Sequence, residues 1–402
     1  MNYIKTPELT FSEFNGKWEV RKLGELIKVN MCKRIFSNQT TPIGEIPFYK
    51  IGTLGNKPDS YISRELFEEY KNKYNFPRKG EILITCSGTV GKTIVYDGRD
   101  SYYQDSNIVW LENNNKIIYN NILRILLSKI DWSKRLNSTT IIRLYNDDIR
   151  NLKIEFPVEK EEQQKIGDFF ILLDKRIEQQ EQKIALLKDY KKAMMQKIFS
   201  QKIRFKDENG NDYPDWEEKK LGEMFEIKKG IQISKKDLSL NGQKCILYGE
   251  LFTRYDEIIE NVTSKTNLDI LPNSKYHDIL MPSSDVTPNG LAKASCLLEN
   301  DVILGGDINI LRYKNENVFP PFFSYQINYF KKKIMDVVSG TTIKHVYSKN
   351  IEKLNYKLPL CIDEQEKITS FLLAIENNIK TQKEMVETLK KEKISLLNKM
   401  FV

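Results

Sequence analysis

Trp18-Glu19-Val20-Arg21-Lys22-Leu23-Gly24-Glu25 comes back as Trp216-Glu217-Glu218-Lys219-Lys220-Leu221-Gly222-Glu223, an offset of 198 residues (216 against 18). A second set of anchors follows each copy. Thr139-Thr140-Ile141 matches Thr341-Thr342-Ile343, Leu144-Tyr145 matches Val346-Tyr347, and Pro157 matches Pro359, all 202 apart (341 against 139). Glu162-Gln163-Gln164-Lys165-Ile166 then matches Glu364-Gln365-Glu366-Lys367-Ile368 at the same offset. Between the anchors, residues 30 to 135 and 228 to 335 share only echoes, such as Asp105-Ser106-Asn107-Ile108 against Asp307-Ile308-Asn309-Ile310. A frame that repeats around an interior that varies suits two modules with one scaffold role and two specificities. A duplication whose halves simply drifted leaves the same trace.

Each repeat ends in about forty residues with helical periodicity. In the first, apolar residues fall at Ile166, Phe170, Leu173, Ile177, Ile184, Leu187, Met194 and Ile198, and Gln180 and Lys191 fill the gaps in steps of four and three. That is a heptad seam. Adding 202 gives Ile368, Leu372, Ile375, Ile379, Val386, Leu389, Leu396 and Met400, with Gln382 and Lys393 in the gaps. Polar residues at the same two registers can fix alignment between helices at some cost in stability. No Pro or Gly interrupts either run after Gly167, and a forty-residue helix reaches roughly 60 Å. Phe169, Leu172, Leu186, Met195, Leu373 and Leu397 flank the seams. They either widen the intramolecular core or face a partner.

A whole module lies between the two helices, so they can pair within the chain by running antiparallel. Inside the modules, Glu81-Ile82-Leu83-Ile84-Thr85 and Asp301-Val302-Ile303-Leu304 read as short strands, Tyr119 to Leu136 and Phe322 to Val338 as helical patches. Phe205 to Pro214 reads as a polar turn into the second module. The expected fold is mixed α/β (α+β): two similar domains separated by two long antiparallel coiled-coil helices, with an internal pseudo-two-fold repeat. The expected divisions are residues 1–157, 158–204, 205–359 and 360–402.

Composition narrows the class. A chain of 402 residues, 40% hydrophobic and 29% charged, is soluble and too long for one core. No stretch approaches the roughly 18 to 20 apolar residues that span a bilayer, and Met1 to Thr6 lack the apolar core of a signal peptide, so a cytoplasmic location is expected. Five scattered cysteines without a Cys-x-x-Cys pair, and two histidines, point to neither a disulfide framework nor a metal site. A net charge of +8 suits a polyanionic partner but also occurs without one.

Three stretches approach catalytic motifs and fall short. Cys86-Ser87-Gly88-Thr89-Val90-Gly91-Lys92-Thr93 resembles a phosphate loop, yet Cys86 replaces the first glycine and a strand follows where a helix is needed. Phe319-Pro320-Pro321-Phe322 is like an amino-methyltransferase motif with its polar first residue missing, and no methyl-donor glycine loop is present. Pro58-Asp59 with Glu69-Tyr70-Lys71 loosely resembles a nuclease site, but its acid lies on what reads as a solvated helix face. A catalytic site is therefore not expected.

The frame residues, in duplicate and in this order, resemble the specificity subunit of type I restriction-modification systems. The resemblance implies two target-recognition domains, each reading half of a bipartite double-stranded DNA sequence, with an unread spacer set by the paired helices. It also implies partners: two modification subunits that methylate adenine, and restriction subunits that act as motor and nuclease. S-adenosylmethionine, ATP and Mg are then expected on those partners and no cofactor on this chain. Basic loop residues should contact phosphates, and amides, hydroxyls and basic forks should read base edges. Candidates in the first module are Lys33, Arg34, Ser87, Lys92, Thr93, Tyr103, Gln104, Thr139, Thr140 and Arg143. In the second they are Lys228, Lys229, Gln232, Ser283, Ser284, Thr341, Thr342, Lys344 and His345. The Thr-Thr pairs and their basic neighbours recur, so they suit the backbone better than the bases. A combined enzyme and a protein-binding scaffold are the competing readings. The first would need the missing methyl-donor loop, and the second would retain no DNA.

Overall fold

The structure is a computed structural model that describes residues 7–14, 17–135 and 143–401. The chain divides into two compact units, residues 1–182 with 383–402, and residues 183–382. Each unit therefore holds one module and a portion of each long helix.

In the first unit a closing ribbon pairs Trp18–Lys22 antiparallel with Lys153–Pro157. Inside it, a four-stranded antiparallel sheet has the order Lys28–Met31, Ile108–Glu112, Ile82–Thr85, Thr93–Val95. A smaller sheet joins Tyr61–Ile62, Ile46–Tyr49 and Tyr102–Tyr103. The patch that begins near Tyr119 forms helices Asn120–Ser128 and Trp132–Arg135; its end at Leu136 lies outside the described residues. The second unit repeats the ribbon as Glu217–Lys220 against Asn355–Leu358. Its central sheet has five strands, in the order Phe225–Lys229, Ile308–Tyr313, Ile279–Pro282, Ser295–Leu297, Ile258–Ile259. The expected helix from Phe322 to Val338 is two helices, Pro320–Tyr329 and Lys331–Met335, because Phe330 leaves helical geometry between them.

The frame motifs recur because they do the same mechanical work twice. Gly24 and Gly222 each pass so close to the turn before the closing strand that a Cβ would sit 2.9 Å from the Cβ of Arg150 or Glu352. Gln163 is fully buried and donates to the carbonyls of Ile117 (2.9 Å) and Pro157 (2.8 Å) while accepting from the Tyr119 N–H (2.9 Å). Gln365 does the same with Asn317 (3.0 Å), Pro359 (2.9 Å) and the Phe319 N–H (2.9 Å). One amide thus clips the start of a long helix to two loops of its own module. Gln163→Ala or Gln365→Ala is expected to cost roughly 2–4 kcal/mol, because buried backbone groups lose their partners. The urea-unfolding midpoint measures it. Gln163→Glu should do no better, since an ionised carboxylate cannot donate to either carbonyl.

The preceding glutamates are buried too, and here the copies differ. Glu364 accepts from Trp216 Nε1 (3.1 Å) and from Arg204 Nη2 (3.2 Å). Glu162 lies beside Trp18 with no such cation among the described residues, and burial raises its carboxyl above the usual range. Phe11 meets Phe169 edge-on as Phe205 meets Phe371, so Thr10 stands where the second copy has Arg204. The stretch opening at Phe205 is therefore both a turn and a packed edge of its module.

The two long helices are Lys160–Phe199 and Ile362–Met400. They pair antiparallel. In the first unit Asp174 meets Lys393 and Glu181 meets Lys390 (2.7 Å), so partner numbers fall as the helix advances. In the second, Lys191 meets Glu376 at 2.6 Å. Adding 202 to Asp174 gives Glu376, and to Lys191 gives Lys393. The lysines that interrupt the heptad seams therefore answer an acid on the opposite helix, once per unit. Every apolar seam residue is buried or half-buried, and Met195 joins the core of the second unit. Leu172 and Leu186 stay 65% and 69% exposed.

Candidate nucleic-acid interface

Two neighbouring strands bring the candidate loops of each module to one sheet end. In the first module Ile82–Thr85 lies against Ile108–Glu112 with Thr85 opposite Ile108. Beyond that pair the Cys86 N–H donates to the Asn107 carbonyl (2.8 Å), and the Leu144 N–H donates to the Cys86 carbonyl (2.8 Å). The second module repeats this with Pro282 opposite Ile308, Ser283 N–H to the Asp307 carbonyl (2.8 Å), and Val346 N–H to the Ser283 carbonyl (3.1 Å). The same backbone bonds close the loops in both modules, and they leave the side chains at the end free to differ.

In the second module a short ladder, Ser284–Asp285 against Lys344–His345, carries the repeated Thr-Thr segment. Ser339 and His345 exchange two backbone hydrogen bonds (3.0 and 2.8 Å), and Gly340 turns the chain at φ +106°. A Cβ there would lie 2.2 Å from the Ile343 carbonyl, so only glycine fits. Thr341 and Thr342 stand exposed at the tip. Lys344 Nζ donates back to the Gly340 carbonyl (2.7 Å), and His345 lies nearly parallel to the Tyr347 ring. Thr139 and Thr140 lie outside the described residues; Arg143, just after them, is exposed with its guanidinium over Tyr145.

The other candidates divide by how free they are. Ser87 Oγ donates to Asn107 Oδ1 (2.8 Å) at the sheet end, and Gln104 and Arg34 join it there, Arg34 through Asp105 (2.7 Å). Lys92 is half-buried with Nζ tied to the Leu54 carbonyl (2.6 Å), in a loop that runs on into the strand Thr93–Val95. Lys33 is exposed with Nζ over the Tyr74 ring. Tyr103 points inward, sharing a hydrogen bond with Ser101 (2.8 Å) and stacking on Tyr49, and burial pushes its phenol well above the usual range. Lys228 pairs with Glu226 (3.1 Å) on the surface, and Lys229 ends the same strand, exposed. Gln232 is exposed just past Gly230, where a Cβ would fall 1.8 Å from the Gly305 carbonyl, so strand and loop can meet only through glycine.

Strand register also shows what the sequence echo misaligned. Thr85 and Pro282 are equivalent, as are Ile108 and Ile308, so the partner of Asp307 is Asn107 and not Asp105. The offset has slipped from 202 to 200 because the loops before these strands differ in length. Neither Asn107 nor Asp307 was singled out from sequence; the end of an apolar strand run was the available signal.

Both modules match one family description, Type I restriction modification DNA specificity domain, over residues 15–189 and 213–391. The chain belongs to that family. A relative from Haemophilus influenzae, described as a putative type I restriction enzyme specificity subunit, is 49% identical over 160 residues, and the alignment takes in 40% of each chain. The specificity subunit of type I restriction enzyme MjaVIII from Methanocaldococcus jannaschii is 26% identical over 417 residues, 97% of this chain and 95% of that one. The fold agrees with solved structures. A type I restriction-modification S subunit from M. genitalium superposes with a TM-score of 0.66 at 19% identity, covering 99% of each chain. A chain from a study of complex assembly and conformational transition in the type I system superposes at 0.53 and 16% identity, covering 96% of this chain and 97% of that one. Membership makes this a DNA-specificity protein with two target-recognition domains, a non-catalytic role. Among the described residues no helix is long and apolar enough to cross a membrane.

Proposed function

We propose that each module reads one half of a bipartite double-stranded DNA target and that the chain positions catalytic partners on it. The observation that carries this reading is the pair of sheet ends: one backbone arrangement built twice, with different side chains on each. Such a plan holds geometry constant while leaving two specificities independent. The partners are two modification subunits, which methylate adenine with S-adenosylmethionine, and restriction subunits that use ATP and Mg to translocate and cut DNA in the cytoplasm. This chain binds none of those cofactors. The exposed leucines, Leu172 in the first unit and Leu186 in the second, with the half-exposed Tyr190, supply apolar surface for the modification subunits.

Titrating the full chain, alone and with its modification partner, against random-sequence and target duplexes at several salt concentrations tests the reading. Affinity should fall steeply with salt, as when phosphates release counterions, and target duplex should outlast random duplex. A flat salt response with no DNA retained would refute it.

A further inference from the structure

We infer that Asn107 and Asp307, one residue of each module at the same place in the fold, read a base edge in their respective half-sites. The inference rests on the DNA-reading proposal above and assigns it to particular atoms. Strand register makes the two positions equivalent, each one residue before the long central strand and each bound by its backbone carbonyl to the neighbouring strand end. Their neighbours are equivalent as well: Ser87 and Ser284 follow the partner strand in the same step. The backbone is thus fixed at both places, and what differs is an amide against a carboxylate.

Each side chain is poised to bind something outside the protein. Asp307 is exposed, and beyond the backbone bond from Ser283 its carboxylate accepts no hydrogen bond and forms no ion pair among the described residues. It opens on a cleft of about 1130 Å³ whose wall includes Gln232, Lys235, Tyr248 and Arg254. A bare carboxylate repels phosphate, so on a DNA surface its partners are the exocyclic amino groups of cytosine or adenine in the major groove. Asn107 is half-buried and held by Ser87 at Oδ1, which leaves its Nδ2 hydrogens and a second lone pair unused. That donor–acceptor pair matches adenine N7 and N6. The candidate lysines and the Thr-Thr tip lie on the same sheet end in the second module, where Lys229 is within electrostatic reach of Asp307. Glu250 on the same wall is taken up by Arg254 (2.8 Å), so the free carboxylate among these cations is that of Asp307, an acid suited to bases.

The test selects bound duplexes from a randomised library, using the full chain with its modification partner, for the wild type, Asp307→Asn and Asn107→Asp. Both changes are isosteric, and the backbone bonds that shape the loops do not involve the altered atoms. A thermal melt matching wild type is the check on folding. Asp307→Asn should change base preference at one position of one half-site by about tenfold or more and leave the other half unchanged. Asn107→Asp should do the same in the opposite half. Unchanged motifs in both variants overturn the assignment, as does an equal change in affinity for every sequence, which would make Asp307 a general electrostatic residue. Wild-type binding without sequence preference would overturn the DNA-reading proposal itself, and the assignment with it.

Discussion

Lys191→Met is expected to weaken the second unit by roughly 3–5 kcal/mol, the usual cost of removing one partner from a buried ion pair. Lys191 sits in the heptad seam of the first long helix, 3.0 Å from Glu257 and 2.6 Å from Glu376, its ammonium over the Tyr325 ring. All three charged side chains are about 14–15% exposed, so water does little to screen them. Tyr325 Oη donates to Glu376 as well. Methionine keeps the stem's packing and removes the charge, which leaves two carboxyls facing each other with Lys293 as the remaining cation near Glu257. Urea unfolding of the full chain should show an earlier transition for the second unit. An unchanged midpoint would mean the cluster is dispensable.

The same cluster sets a pH response. Burial and the facing Glu257 carboxylate push Glu376 up to about 8, while Glu257 is drawn down to about 2 against its own burial by Glu376 and Lys191. The pair therefore holds one proton at neutral pH. A group whose folded value is raised stabilises fully below its ordinary value and loses that contribution as pH rises through the folded one. For Glu376 the loss falls between the ordinary 4.5 and about 8. Glu257 has the opposite sign, and its contribution fades only as pH drops toward about 2. Melting midpoints of the unaltered chain should therefore decline as pH rises from about 4.5 to about 8, and Glu376→Gln should flatten that decline.

The parts that do identical work twice were the legible ones. Trp18 and Trp216, Gln163 and Gln365, Gly24 and Gly222, and both heptad seams left matching residues because each needs one side chain at one place. The seam lysines were visible as interruptions, though their acids were not, since Asp174 and Glu376 lie off the apolar pattern. The sheet ends were harder to read. Loops there close through backbone bonds such as Cys86 to Asn107, which any residue can make, so no residue pattern marks them. Loop-length differences then moved the alignment by two residues and hid Asn107 opposite Asp307. Tyr103 looked like a surface reader because sequence alone gives no sign that Ser101 and Tyr49 hold it inside.

Arg312→Met is expected to cost the second unit roughly 3–5 kcal/mol as well, and to leave the first intact. The guanidinium holds Asp278 two-handed, Nε to Oδ1 at 2.9 Å and Nη2 to Oδ2 at 2.6 Å, and Nη2 also meets the Asn273 carbonyl at 2.8 Å. Asp278 is 1% exposed, so without Arg312 it keeps one N–H, from Lys275, against a full charge. The clamp joins the two strands whose far ends carry Ser283 and Asp307, so its loss should disorder the reading end and abolish selection in one half-site. Register places Glu81 and Glu112 at the equivalent positions of the first module, two acids where the second has an ion pair. That module solves the same junction otherwise, with Glu81 accepting from the Arg78 N–H at 2.8 Å and Glu112 from Asn30 at 2.7 Å. The first half-site should therefore survive in Arg312→Met. Adding Asp278→Leu should recover most of the stability, because replacing both partners with apolar groups costs far less than stranding one. Full recovery would mean the pair sets the position of the strands more than it stabilises them; no recovery would mean its hydrogen bonds to the loop at Asn273 and Lys275 are what hold the module together.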